Sequence, residues 1–111
     1  MTQHDVRLRL RHMYDHAKEA VELLAKKQKE DLAQDRLLEL ALVRLVEIVG
    51  EAANRIPADC QVQYPSIPWR EIVGMRNRLA HGYDAIDLKV LWDTVKDDLP
   101  GLLKELERIL Q

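Results

Sequence analysis

Phenylalanine is absent from this 111-residue chain, and cysteine occurs once. A lone Cys60 cannot close an internal disulfide, and it rules out the multi-cysteine zinc frameworks. Long apolar runs are missing too. The longest, such as Leu40-Ala41-Leu42-Val43, last a few residues, where a membrane-spanning helix needs roughly 18. Met1-Thr2-Gln3-His4-Asp5 leads into charged residues without an apolar core, so no secretion signal is expected and the expected compartment is the cytoplasm. Neither sign of charge dominates. Seventeen basic residues against nineteen acidic leave a net charge of −2, which argues against a general polyanion binder and leaves room for a local basic site.

Glycine and proline number four each, while Leu, Ala, Glu, Lys and Arg abound; this is helical usage. Apolar residues make up 47% and charged residues 32%, a globular rather than disordered balance. The length suits one domain over residues 1–111.

Helical periodicity is legible along most of the chain. Val6, Leu10, Met13, Ala17, Val21 and Leu24 recur at spacings of three and four and predict a helix from about Asp5 to Lys27, with Thr2 or Asp5 as its cap. A second helix is expected from Asp31 or Asp35 to Asn54 or Arg55. Its stripe is Leu38, Leu42, Leu45, Val49 and Ala52, and Val43, Val46, Gly50 and Ala53 extend the apolar surface round the cylinder. A helix apolar on more than one side must be covered on more than one side. In so small a protein the expected second cover is another subunit. Gly50 and the nearby alanines would permit close helix approach.

Residues Ile56 to Ile67, flanked by Pro57 and Pro65, are expected to form a connection. Pro68 then favours a helix start, and a third helix is expected to run to Ala80 or His81, with Gly82 as its left-handed terminal residue. Asp87 is the expected N-cap of a fourth helix carrying Leu88, Leu91, Trp92 and Val95. Pro100 should kink or break that helix near Asp98-Leu99 and start a last one. The expected fold is an all-α bundle of four to five helices.

The densest polar constellation is Met75-Arg76-Asn77-Arg78-Leu79-Ala80-His81-Gly82-Tyr83-Asp84. Arginine offers a planar, permanently charged donor fork for phosphate, and histidine exchanges protons near neutral pH. Together they suffice to cleave RNA without a metal: a base accepts the 2′-hydroxyl proton, an acid protonates the leaving 5′-oxygen, and fixed positive charge stabilises the transition state. Arg76 and His81 are five apart, about 140° round an ideal helix, and so do not share a face. Either the helix unwinds at Ala80-His81-Gly82, or the groups converge across a symmetric dimer. By spacing alone, an Arg and a His there can equally satisfy free carbonyls and the helix dipole.

The same residues resemble the HEPN superfamily (higher eukaryotes and prokaryotes nucleotide-binding domains), and more narrowly its HepT-like toxins. Their hallmark is Arg with a polar neighbour, then His after four to six residues, then Tyr two places on; here these are Arg76, Asn77, His81 and Tyr83, without departure. The phrase Ile67-Pro68-Trp69-Arg70-Glu71-Ile72-Val73-Gly74-Met75 also resembles that branch, as do Val43 to Asn54 and Trp92 to Pro100. The resemblance implies a HEPN-type helical bundle forming a twofold homodimer, with Arg and His of both copies lining one cleft. It implies a metal-independent endoribonuclease toxin of a type VII toxin–antitoxin pair. Arg76 would bind phosphate and stabilise the transition state, His81 would act as general base or acid, and Asn77 would be a supporting polar contact. The implied partner is a minimal nucleotidyltransferase antitoxin that transfers AMP from ATP to Tyr83; the chain itself would need no cofactor. The competing readings are a non-catalytic HEPN module that binds nucleotide or protein, and a purely structural dimer. The acidic balance favours weak RNA affinity or a narrow substrate choice.

Other polar groups carry plainer expectations. Glu47 and Glu51 are expected on a solvated or structural ion-pair face, with pairing to Arg44, Arg55 or the motif arginines that orients the site as the alternative. His12 and His16 are at a spacing that can bind metal, but are expected on a solvated face with no third ligand. Trp69 and Trp92 fall on apolar stripes and are expected to pack in the core rather than stack bases. Lys26, Lys27 and Lys29 are expected at a solvated helix end.

Overall fold

Helix formation begins at Thr2, whose hydroxyl accepts the Asp5 backbone N–H (3.1 Å) while the Asp5 carboxylate accepts the Thr2 N–H (3.0 Å). This reciprocal pair satisfies two of the orphan donors of a helix N-terminus. The computed structural model of the protein describes residues 1–79 and 85–111. Helix α1 spans Gln3–Leu24, α2 Lys29–Gln34, α3 Arg36–Asn54, α4 Ala58–Gln61, α5 Trp69–Leu79 and α6 Leu88–Asp93; a π-helical turn, Thr94–Asp98, leads into α7, Leu99–Leu110. The four substantial helical runs are α1, α3, α5 and the α6–α7 rod, so the all-α bundle is as expected.

The predicted stripe of α1 is buried: Val6, Leu10, Met13, Ala17 and Leu24 are in the core. The helix ends at Leu24 rather than Lys27. Its terminal carbonyl accepts the Lys96 ammonium at 2.6 Å, a cation placed where the helix dipole favours one. The following Lys29–Gln34 segment is a separate short helix, and the Asp35 carboxylate then caps α3 by accepting the Leu38 N–H (3.0 Å). Helix α3 is the central element. One side packs on α1 and the other on α5. Val46 and Ala53 are fully buried there, and a Cβ at Gly50 would lie 3.2 Å from the Ile72 carbonyl oxygen. The close approach is therefore as expected. The cover of this second apolar side is not: it comes from α5 of the same chain, because the Pro-bounded connection folds α5 back along α3.

That connection contains the one-turn α4, an element too short to show periodicity. Gln61 holds it down by donating to the Ile56 carbonyl (3.1 Å). At the other end of the bundle, α6 packs on α2, α3 and α5, whereas α7 packs on α1. The buried residues Leu91, Val95 and Leu99 are spaced by four, a spacing that drifts about 40° per step round an α-helix. The π turn accommodates that spacing, with the Leu99 N–H reaching back five residues to the Thr94 carbonyl. Pro100 lacks the N–H an unbroken α-helix would use, so the change in helix type falls where the sequence predicts a break. Tyr14 ties α1 to α7 through its hydroxyl, which donates to Glu107 (2.9 Å); that bond holds the phenol above its ordinary pKa. Arg7 donates to the Leu110 carbonyl (3.1 Å) and caps the last helix from the first. Among the described residues no helix is long and apolar enough to cross a membrane.

Candidate functional site

Trp69 anchors the helix that carries the arginine motif. Its indole N–H donates to the Gln61 and Tyr64 carbonyls (3.0 and 3.1 Å), and its ring packs half-buried against the core. Trp92 is likewise half-buried, with the Lys96 ammonium 5.0 Å from its ring centroid. Both tryptophans pack as expected. Ile72, Met75 and Leu79 turn inward from α5 and fix its rotation.

With those residues buried, Arg76 emerges on the α3 side. Its Nε lies 3.1 Å from Glu47 Oε2; the arginine side chain is 68% exposed and the glutamate 21%. The contact is made at Nε, and most of the arginine side chain stays open to solvent. A carboxylate held on a rigid helix thus restrains a guanidinium that remains largely accessible to a ligand. Arg78 points elsewhere. Its Nη1 donates to the Glu71 carbonyl (3.1 Å), and it borders a cavity of about 580 Å³ between α5 and α7. Asn77 is exposed beside Arg76.

His81 and Tyr83, with Ala80, Gly82 and Asp84, lie outside the described residues. The expected acid–base, modification and helix-end roles of His81, Tyr83 and Gly82 fall there. The described residues on either side are joined, since the Asp87 N–H donates to the Leu79 carbonyl at 2.9 Å. Asp87 also caps α6, as expected, by accepting the Val90 N–H at 3.1 Å.

One expectation about neighbouring residues is made specific and another needs correction. Glu47 is the ion-pair partner of Arg76, one of the motif arginines, and the second glutamate, Glu51, pairs with Arg44 at 3.4 Å. Sequence spacing alone could not choose among the arginines available to them, because the choice depends on how α5 lies on α3. Against expectation, His12 and His16 do not sit on a fully solvated face. Both are half-buried, His16 Nδ1 lies 2.7 Å from the His12 carbonyl oxygen, and both border a notch between α1 and α3. Among the described residues no group of three or more His, Cys, Asp or Glu forms a candidate metal site.

The family described as ribonuclease HepT-like matches residues 8–109 of the chain. A protein of Thermococcus cleftensis named "Probable ribonuclease HepT" is 41% identical over 95 residues, covering 82% of this chain and 86% of that protein. Two proteins of Methanocaldococcus jannaschii that carry RNase names are 31% and 35% identical, over 111 and 107 residues; they cover 100% and 96% of this chain, and 92% and 98% of their own lengths are matched. No solved structure matches the chain significantly. The match runs through α1, α3, the Arg76-bearing α5 and the α6–α7 rod together, so the chain belongs to the HepT-like ribonuclease family.

Proposed function

We propose that the chain is a metal-independent endoribonuclease toxin of a type VII toxin–antitoxin pair, acting as a twofold homodimer. The observation that carries this reading is the exposed Arg76 guanidinium, steered by Glu47 on the adjacent helix, in a chain of the HepT-like ribonuclease family. Arg76 binds the scissile phosphate and stabilises the charge that develops on it. One His81 takes the proton of the 2′-hydroxyl, whose oxygen attacks the adjacent phosphorus; a second His81, from the other copy, gives a proton to the departing 5′-oxygen. The P–O5′ bond breaks, leaving a 2′,3′-cyclic phosphate and a 5′-hydroxyl. Asn77 is a supporting polar contact.

Support for the dimer comes from the outer edge of α3, where Leu37 is 80% and Leu40 48% exposed. Two large apolar side chains one turn apart on the central helix favour a protein cover. Control is by a minimal nucleotidyltransferase antitoxin, which transfers AMP from ATP to the Tyr83 hydroxyl with loss of pyrophosphate. The adduct places negative charge and bulk beside the cleft, where RNA phosphate must sit.

The test is cleavage of RNA by the purified protein in EDTA. Wild type should release products ending in a 2′,3′-cyclic phosphate, and Arg76→Ala and His81→Ala should each abolish this while leaving the oligomer intact. Undiminished cleavage by either variant defeats the catalytic assignment. With the antitoxin and labelled ATP, wild type should be modified and Tyr83→Phe should not; equal labelling rejects Tyr83 as the target.

A further inference from the structure

The net charge of −2 conceals a segregation of cations. On the α1 side of α3, away from α5, a notch of about 270 Å³ is bordered by Arg9, His12 and His16 from α1 and by Arg44, Glu51 and Arg55 from α3. The α1 set is spaced by three and four and the α3 set by seven and four, so each forms a row along its own helix, and packing of α1 on α3 brings the rows together. Three guanidiniums and two imidazoles face a single carboxylate, and Glu51 is already shared with Arg44 (3.4 Å). Among the described residues Arg9 and Arg55 have no ion-pair partner. The Arg9 Nε is shielded from solvent and meets no hydrogen-bond acceptor. A buried donor of a charged group without an acceptor is costly, and an anion against the same guanidinium would offset part of that cost.

The position of the notch says which anion. Arg44, Glu47 and Glu51 lie on successive turns of α3, and Glu47 holds Arg76. The notch and the Arg76 guanidinium therefore flank one helical ridge, about 10 Å across. Glu47 and Glu51 on that ridge are each neutralised by an arginine. Arg9, Arg44, Arg55 and Arg76 against these two carboxylates leave a cationic surplus along a path crossing the ridge. A free phosphate would use the notch alone; a polynucleotide uses the notch and Arg76 together.

We propose that the α1–α3 notch is a phosphate subsite that grips the RNA backbone a short distance along the strand from the bond cut at Arg76. The inference rests on the ribonuclease reading of Arg76, but it makes a separate demand on binding. Arg9 and Arg55 hold the strand and take no part in bond breaking.

The experiment measures anisotropy of a fluorescent single-stranded 12-residue oligoribonucleotide with the full chain, alongside cleavage kinetics in EDTA. Arg9→Gln/Arg55→Gln should weaken binding about tenfold at low salt, and the salt dependence should fall by about 0.7 in log–log slope for each phosphate that is no longer neutralised. KM should rise with kcat retained. Arg55 is exposed, so Arg55→Glu reverses charge without touching the core; it should weaken binding as well, at an unchanged melting temperature. If wild type binds but does not cleave, and these variants still bind more weakly with a reduced salt slope, the subsite stands and the catalytic reading fails. If cleavage depends on Arg76 while the variants bind RNA like wild type with the same slope, the catalytic reading stands and the subsite is overturned.

Discussion

Removing the Glu47 carboxylate separates a structural ion pair from a positioning device. The contact to Arg76 is 3.1 Å, with the glutamate 21% and the arginine 68% exposed. An ion pair with one partner this open is heavily screened and contributes about 0.5 kcal/mol, within the range of surface pairs. Glu47→Ala should therefore lower the melting temperature by only a few degrees, at about 4–8 °C per kcal/mol for a chain near this size. Its effect on cleavage should be larger. An untethered arginine recovers up to about 2 kcal/mol of rotamer entropy, which must be lost again in the transition state. With tenfold in rate per ~1.4 kcal/mol, kcat should fall by about ten- to thirtyfold while KM changes little. Glu47→Gln keeps an oxygen that can accept from Nε and should recover much of the loss. The assay is steady-state cleavage of a short oligoribonucleotide beside thermal unfolding by circular dichroism. A kcat for Glu47→Ala within twofold of wild type, or a loss that merely follows the unfolded fraction, refutes the positioning role. Increased activity would refute it too, because it would make the pair a restraint on Arg76.

Other predictions concern the scaffold. Gly50→Ala puts a Cβ 3.2 Å from the Ile72 carbonyl oxygen; overpacking of about 1–3 kcal/mol should outweigh the ~1 kcal/mol helix-propensity gain, and a more stable variant in urea unfolding would contradict the tight α3–α5 contact. Asp87→Ala removes the α6 cap and should cost about 1 kcal/mol, with faster amide exchange at Val90; unchanged exchange there would reject the cap. The Asp5 carboxyl is held below its ordinary pKa by the Thr2 N–H and hydroxyl. Its contribution to stability is therefore present above the unfolded-state pKa near 4 and lost as pH falls through the lower folded value. Asp5→Asn should flatten that acid limb, and an unaltered pH profile would contradict the capping pair.

Local signals locate the long helices well. The α1 and α3 stripes, the Thr2 and Asp87 caps and the disturbance at Pro100 all depend on spacings or side chains within a few residues. What escapes a reading of the sequence is decided at a distance. The end of α1 at Leu24 is closed by Lys96, 72 residues away. The second face of α3 is covered by α5, so its apolar breadth alone does not require another subunit. Within the motif, Arg76 is legible by type and neighbourhood, whereas its partner Glu47 becomes identifiable only once the rotation of α5 on α3 is known. The notch escapes because its cations are divided between two helices, and each half resembles an ordinary polar face.

The π turn gives the rod Leu88–Leu110 two allegiances. By widening one turn between Leu91 and Leu99, it lets α6 face α2, α3 and α5 while α7 faces α1. One surplus residue thus works like a swivel joint in a shaft. Cutting a single residue from Thr94–Asp98 would remove the surplus and restore a uniform pitch with Leu102 and Leu106 still facing α1, whereas adding one would swing them off α1 by roughly a quarter-turn, about 100°. That segment should tolerate the loss of one residue far better than the gain of one.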